Sequence, residues 1–75
     1  MIGNVIKVHI TASDELARET GLAGESLWIT ITEEKDDYIR GRLENHPILV
    51  DHNYGDELWF KDTPELIPEF VGESL

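Results

Sequence analysis

Hydrophobic and polar residues alternate in two stretches of the chain. In residues 5–11, Ile6, Val8 and Ile10 occupy alternate positions and polar residues lie between them, which is the period of a half-buried β-strand. Residues 27–32 alternate in the same way, with aliphatic residues at the odd positions. Each stretch is therefore predicted to be a strand that buries its aliphatic face.

Three further strands are predicted, and each follows a turn signal. The signals are the charged run at 33–37, the Asn-His-Pro sequence at 45–47, and the Gly-containing polar stretch at 51–56. Pro restricts the residue before it and lacks an N–H, so a new element is expected to begin after Pro47. The three predicted strands cover residues 38–43, 48–50 and 57–61.

A short helix is predicted over about 14–20. Ser13 offers an N-cap oxygen, and Gly21 is placed to end the helix as a C-cap. Seven residues do not hold a helix in isolation, so the helix requires Leu16 to dock on the rest of the protein, and a loop is the alternative. Near the end of the sequence, two prolines bracket a predicted turn or single helical turn at 65–67.

These elements predict a mainly β fold. Five short strands joined by turns of a few residues are typical of a curled antiparallel sheet or a small barrel. The chain has 75 residues, which is enough for a single domain and leaves no linker for a second one. We therefore expect one five-stranded antiparallel domain over 1–75, with one short helix at 14–20.

Four short motifs lie between residues 25 and 70. They are Glu25-x-x-Trp28, Gly41-x-Leu43-x-Asn45-x-Pro47, Gly55-Asp56-x-Leu58-x-Phe60 and Ile67-Pro68-Glu69-Phe70. Together they resemble the pattern of an uncharacterised bacterial family, the domain of unknown function 2314 (YegJ-like proteins), in which the last motif is often Ile-x-Asp-Trp. The resemblance implies a small SH3-like barrel and carries no established activity, so it supports the fold and leaves the function open.

Composition narrows the classes of function. The chain has 16 Asp and Glu against 6 Lys and Arg, a net charge of −10, so direct binding to nucleic acid is not expected, because phosphate contacts need basic side chains. It has no Cys, which excludes a disulfide-stapled miniprotein and a thiolate metal site. No apolar run approaches the length of a membrane span or a signal peptide, so we expect a cytoplasmic protein.

The sequence offers no catalytic constellation. His46 and His52 flank Asp51, but three histidines spread over the chain have no paired spacing of the kind that zinc sites use. No Ser lies in a nucleophile-elbow context such as Gly-x-Ser-x-Gly. We therefore expect a protein that is not an enzyme and has no cofactor and no metal, and that acts by binding.

The acidic residues are concentrated after residue 32, where 12 acids stand against 4 bases. An acidic face is steered toward basic surfaces, so the first hypothesis is an interaction domain that docks on a basic surface of a partner protein. This hypothesis covers two specific roles, an inhibitor and a DNA mimic, that act on a nucleic-acid enzyme or a defence system. Acidity kept for solubility is the alternative. The acids form two candidate faces, one at residues 33–37 and one at residues 56–73. The candidate residues are Glu33, Glu34, Asp36 and Asp37 in the first face and Asp56, Glu57, Glu65 and Glu69 in the second.

The aromatic residues support a second hypothesis. If the aliphatic faces of the strands are buried, Trp28, Tyr38 and Trp59 fall on the outward faces. Exposed Trp and Tyr side chains are frequent hot spots of binding surfaces, so a small-molecule or peptide site is the alternative function. The competing interpretation is that both faces are covered, the outer one by the terminal segment around residues 66–70.

Overall fold

The strands close into a barrel whose order around the wall is the order of the chain. The structure is a computed structural model and describes residues 2–75. The elements are β1 (Val5–Thr11), α1 (Asp14–Thr20), β2 (Gly24–Lys35), β3 (Tyr38–Leu43), β4 (Glu57–Lys61) and β5 (Glu69–Gly72). The predicted mainly β fold, a small five-stranded barrel of the SH3-like kind with one short helix, is confirmed.

The sequence predicted a wholly antiparallel sheet, but the observed sheet is mixed. Consecutive strands from β1 to β5 pair antiparallel, but β5 closes the barrel by pairing parallel with β1. This closure consists of a single residue pair, His9 with Glu69. The barrel is therefore mixed, and its last seam is much shorter than the others.

β2 is twice as long as predicted, because it extends at both ends beyond residues 27–32. A bulge between Ile31 and Glu33 shifts the register, after which β2 goes on pairing with β3 as far as Lys35. The expected hairpin tip at 33–37 is corrected accordingly: the turn itself is only Asp36 and Asp37. Asp36 has a φ of 54°, a left-handed conformation that Asp tolerates better than most residues.

In the C-terminal half of the chain, one predicted strand is absent and one observed strand was not predicted. Residues 48–50 form bends rather than a strand, because the Glu25 carboxylate accepts the backbone N–H groups of Ile48 and Leu49, each at 2.8 Å. The fifth strand is instead Glu69–Gly72, which the sequence analysis did not identify. The predicted turn at 65–67 is present in part, over residues 64–66.

The helix α1 is confirmed with its predicted boundaries. The N–H of Leu16 donates to the Ser13 hydroxyl at 3.1 Å, and Gly21 ends the helix with a φ of 77°, donating its N–H to the Ala17 carbonyl. Leu16 packs against the core from the outside. The helix thus exists because its caps are satisfied and one of its side chains docks.

The predicted inward faces of the strands form one hydrophobic core. The four predicted strands that the structure contains bury the aliphatic residues of the expected phase, except that Ile6 is half-buried and packs against the core. The core residues are Val8, Ile10, Leu27, Ile29, Ile31, Ile39, Leu43, Leu49, Leu58 and Phe60.

Within residues 2–75, no helix has the length and hydrophobicity that crossing a membrane would require.

Candidate partner-binding site

The turn between β2 and β3 lies beside the loop that follows β4. The backbone N–H of Asp62 donates to the carbonyl oxygen of Asp37 at 2.7 Å. This bond brings together two acidic segments that the sequence analysis treated as separate candidate faces, the run at 33–37 and the region at 56–73. One end of the barrel therefore carries acids from both.

Some of the candidate acids are neutralised by neighbouring basic groups. Arg40 lies between Glu33 and Glu57, with nitrogen–oxygen distances of 3.8 and 4.0 Å, and Glu57 also accepts the Thr32 hydroxyl. Because these carboxylates already have partners on the barrel wall, they offer less negative potential to a partner protein.

Asp56 is also engaged within the fold. His52 Nδ1 lies 3.4 Å from one Asp56 carboxylate oxygen, and the same carboxylate accepts the backbone N–H of Asn53 at 2.9 Å. The carboxylate therefore holds the loop between β3 and β4, and this loop role is sufficient to explain an acid at this position.

Glu69 belongs to the seam that closes the barrel. One of its carboxylate oxygens lies 2.9 Å from His9 Nδ1, and the other accepts the backbone N–H of Thr11 at 2.9 Å. Partial burial raises the pKa of this carboxyl, but the hydrogen bonds from His9 and Thr11 outweigh that effect and the pKa is lowered. Glu69 is thus a structural carboxylate of the β1–β5 seam.

A different set of acids has no such partners. Within residues 2–75, the side chains of Asp36, Asp37, Asp62 and Glu65 form no hydrogen bond or ion pair. All four are exposed, and all lie in the turn and the loop that the Asp62–Asp37 bond joins. Their charges are therefore available to a partner.

Two of these acids, Asp62 and Glu65, line a groove at the same end of the barrel, between the first half of β1 and the loop at 62–68, whose lining mixes aliphatic and charged residues. The groove has a volume of about 490 Å³, within the usual range of ligand pockets. We call it the acidic groove. Its lining comprises Ile6, Lys7, Ile31, Glu34, Ile39, Asp62, Glu65, Leu66, Ile67 and Pro68.

Two large aliphatic residues in the wall of the acidic groove are exposed to solvent, although burial of their side chains would be favourable. Leu66 is 68% exposed and Ile67 is 48% exposed, and both also line a second groove on the other side of the loop. Large aliphatic side chains held in solvent next to a groove are typical of interaction surfaces. The competing interpretation of the sequence had this segment cover the outer face of the strands, whereas Leu66 and Ile67 are themselves largely exposed.

Glu65 holds an unusual backbone conformation. Its φ is 71°, in the left-handed region that Gly or Asn adopts more cheaply. The side chain of Glu65 lines both grooves. Glu65 therefore occupies a backbone conformation that is costly for a residue with a side chain, at a position shared by the two grooves.

The three outward aromatic residues do not form one surface. Trp28 is 47% exposed and lies under the Lys7 ammonium, which is 5.8 Å from the ring centroid. Tyr38 pairs in the sheet with Lys35. Lys35 lies seven residues beyond Trp28 along β2, which corresponds to roughly 20 Å at about 3.3 Å per residue. Trp59 is buried, at 9% exposure, so it does not contribute to the exposed aromatic surface of Trp28, Tyr38 and Trp59 on which the alternative hypothesis depends.

The motif residues at the start of β2 have structural roles. Glu25 holds the loop at 48–49, as described above, and the Asn45 side chain accepts the backbone N–H of Trp28 at 2.8 Å. At Gly41 a side chain would collide with Ile29, which explains why a strand contains glycine there. These positions specify the barrel and its loops rather than a reactive site.

The histidines do not converge. His52 lies 3.4 Å from Asp56 and 3.6 Å from Glu73, while His9 belongs to the β1–β5 seam. Over residues 2–75 there is no group of three or more His, Cys, Asp or Glu residues placed to hold a metal ion.

Sequence reasoning missed part of the acidic groove, namely Asp62, Leu66, Ile67 and the apolar floor. Asp62 lay inside the acidic region at 56–73 but was not singled out. The available signal was the pair of prolines at 64 and 68, because a segment bracketed by prolines is poorly suited to a sheet interior and its aliphatic residues tend to stay outside.

Comparisons of the chain with family models, with curated proteins and with solved structures find no match. The resemblance to the domain of unknown function 2314 therefore stays a prediction from the residues quoted above.

Proposed function

We propose that this protein is a non-enzymatic interaction domain that binds a basic, partly apolar segment of another protein at the acidic groove. The observation that carries the proposal is the coincidence of partnerless carboxylates with exposed aliphatic side chains around one groove. Asp62 and Glu65 supply charge at the rim, and Leu66 and Ile67 supply apolar contact area. A Lys- or Arg-containing segment with apolar residues complements both features.

The same observation favours a protein segment over the role of a DNA mimic. A mimic needs carboxylates spread over the surface in place of phosphates, whereas the acids at Glu33, Glu57 and Glu69 are tied to neighbouring side chains. The exposed aliphatic side chains of Leu66 and Ile67 would also find no complementary apolar surface in a site that binds phosphates. The acidity of the chain is therefore assigned to steering a basic partner to one end of the barrel.

The experiment compares two double variants that change the net charge equally. Asp62→Lys with Glu65→Lys reverses the groove rim, and Glu19→Lys with Asp51→Lys reverses two exposed acids away from it that also lack partners within residues 2–75. Wild type and both variants are immobilised, and proteins captured from a native lysate of the source organism are quantified at low and physiological salt.

We expect the rim variant to lose its partner and the control variant to keep it, with capture by the wild type decreasing as salt increases. Equal loss in both variants would show that only net charge matters and would contradict the proposal. Undiminished capture by the rim variant, or no capture by the wild type, would contradict it as well.

A further inference from the structure

β1 has one fully paired edge and one edge that is largely open. Along the first edge, all seven residues from Val5 to Thr11 pair with β2. Along the other, among residues 2–75, only His9 pairs with β5. The open part is the first half of β1, and it borders the acidic groove, which Ile6 and Lys7 line.

The direction of the backbone groups follows from the hydrogen bonds at the ends of the strand. Ala12 donates its N–H toward β2, to Ala23, whereas His9 and Thr11 donate theirs to the β5 side, to the Pro68 carbonyl and the Glu69 carboxylate. Successive residues of a strand direct their backbone groups to opposite sides. Val5 and Lys7 therefore direct their N–H and C=O groups to the open side.

A proline explains why β5 does not cover this edge. If the parallel pairing of His9 with Glu69 continued toward the start of β1, the Lys7 carbonyl would accept the N–H of residue 68. That residue is Pro68, which has no N–H. The left-handed backbone at Glu65 and the turn at 64–66 then carry the chain away from β1.

We infer that the partner segment adds to this open half of β1 as an extra strand, and this inference rests on the proposed function. Unpaired strand edges are templates for an extended peptide, whose backbone supplies affinity while alternate side chains supply specificity. Side chains on one face of the segment contact Ile6, Ile31 and Ile39 on the groove floor. The ligand class is thus an extended peptide in which apolar residues alternate with Lys or Arg.

The charges of the groove favour such a peptide over a second copy of this chain. Asp62 and Glu65 lack partners and lie at the rim, within reach of Lys or Arg side chains of a bound strand. The one basic residue of the lining, Lys7, places its ammonium over the Trp28 ring. A second copy would bring another net charge of −10 to the same edge, and like charges at an interface are strongly unfavourable.

The test uses a blocked hexapeptide of three Lys-Val repeats as the probe, with three Glu-Val repeats as the charge control. Amide hydrogen exchange is followed by NMR on the intact protein, free and saturated with the probe. In the free protein, we expect the amides of Val5 and Lys7 to exchange quickly and those of Ile6 and Val8 to exchange slowly, because only the latter two face β2. On binding, we expect the Val5 and Lys7 amides to slow by about tenfold or more, whereas the Glu-Val control does not bind.

A second arm tests the backbone contact from the side of the peptide. One version of the probe carries N-methyl groups on its Lys residues and another on its Val residues, so each blocks one edge of the strand. Only one edge faces β1. One version is therefore expected to bind about tenfold more weakly, in line with the loss of one or two hydrogen bonds, and the other to keep its affinity.

The outcomes separate this inference from the proposed function. Binding of the probe without protection of Val5 and Lys7, or with equal effects of the two N-methylated versions, overturns strand addition and leaves the acidic groove as a docking site. Failure of the Lys-Val probe to bind at millimolar concentration also overturns strand addition, while the comparison of captured partners judges the proposed function on its own.

Discussion

The backbone N–H of Asp62 donates to the carbonyl of Asp37 across a distance of 2.7 Å. Because this bond uses backbone groups only, we expect it to survive replacement of either side chain. The two carboxylates are held in neighbouring chain segments even though their charges repel, and the repulsion is offset by the fold rather than by a counter-ion. Charge variants at this end of the barrel can therefore be interpreted as changes in charge rather than in structure.

Ile29→Ala tests the phase of the strands. Ile29 is fully buried in β2, so truncation leaves a cavity, and we expect a loss of about 2–5 kcal/mol in the free energy of unfolding. Ile2→Ala, at an exposed position, is the control and should change it by less than about 0.5 kcal/mol. Urea denaturation measures both, and equal effects of the two variants would contradict the assigned core.

Gly41→Ala tests the close approach of β2 and β3. A methyl group at position 41 would collide with Cδ1 of Ile29 and lie 2.9 Å from its Cβ and Cγ1, so we expect a loss of about 1–3 kcal/mol from overpacking. Adding Ile29→Val to this variant removes part of the obstruction. The double variant should therefore be more stable than the sum of the two single changes predicts, and strict additivity in denaturation would rule out this contact.

Glu65 offers a test that separates stability from binding. Glu65→Gly relieves a left-handed backbone and is expected to raise the free energy of unfolding by up to about 1 kcal/mol. Glu65→Gln keeps the strain and removes only the charge, so its stability should match that of wild type. Both variants should bind the Lys-Val probe more weakly in titration calorimetry. If Glu65→Gly were less stable than Glu65→Gln, the conformational cost assigned to this position would be wrong.

Glu69→Gln tests the seam at low pH. The pKa of the Glu69 carboxyl is lowered from its ordinary value of 4.5, so its ionised form stabilises the folded state above that value, and this stability is lost as the pH falls through the folded pKa. Gln does not titrate. The stability advantage of wild type over Glu69→Gln should therefore shrink as the pH falls below 4.5, and an advantage in denaturation that stays constant in acid would refute the role of the charge.

The two tryptophans are distinguished by fluorescence. Trp28→Phe leaves the buried Trp59 as the only indole, and Trp59→Phe leaves the exposed Trp28. We expect emission at shorter wavelength and weak quenching by iodide in the first variant, and the reverse in the second. Similar quenching in both would contradict the burial of Trp59 and would restore the aromatic surface as a candidate binding site.

The parts of the fold that the sequence predicted depend on local patterns. The alternation in residues 5–11 and the capping residues of α1 act within a few positions, and both elements were predicted with their observed bounds. Residues 48–50 were misassigned because the Glu25 carboxylate that holds them is 23 residues away. β5 was missed because it has four residues, and its identity depends on pairing with β4 and packing of Phe70 on Phe60, at 5.9 Å between ring centroids.

The sequence predicts the sign of the charge at the candidate site but not the location of the site. An excess of acid after residue 32 is visible in the sequence and points to a basic partner. Which carboxylates are free is decided by tertiary neighbours: Arg40 lies between Glu33 and Glu57, and His9 lies beside Glu69. The groove itself required knowledge of the open edge of β1, which no local pattern reveals.

The seam between His9 and Glu69 also has a consequence for the order of folding. It joins residues 60 positions apart, whereas the β-hairpin of β2 and β3 closes through a two-residue turn. Closing a longer loop costs more chain entropy before any contact compensates for it. We therefore expect the hairpin of β2 and β3 to form early and the seam to form last, so that the edge of β1 that we assign to a partner strand is exposed both during folding and in the finished barrel.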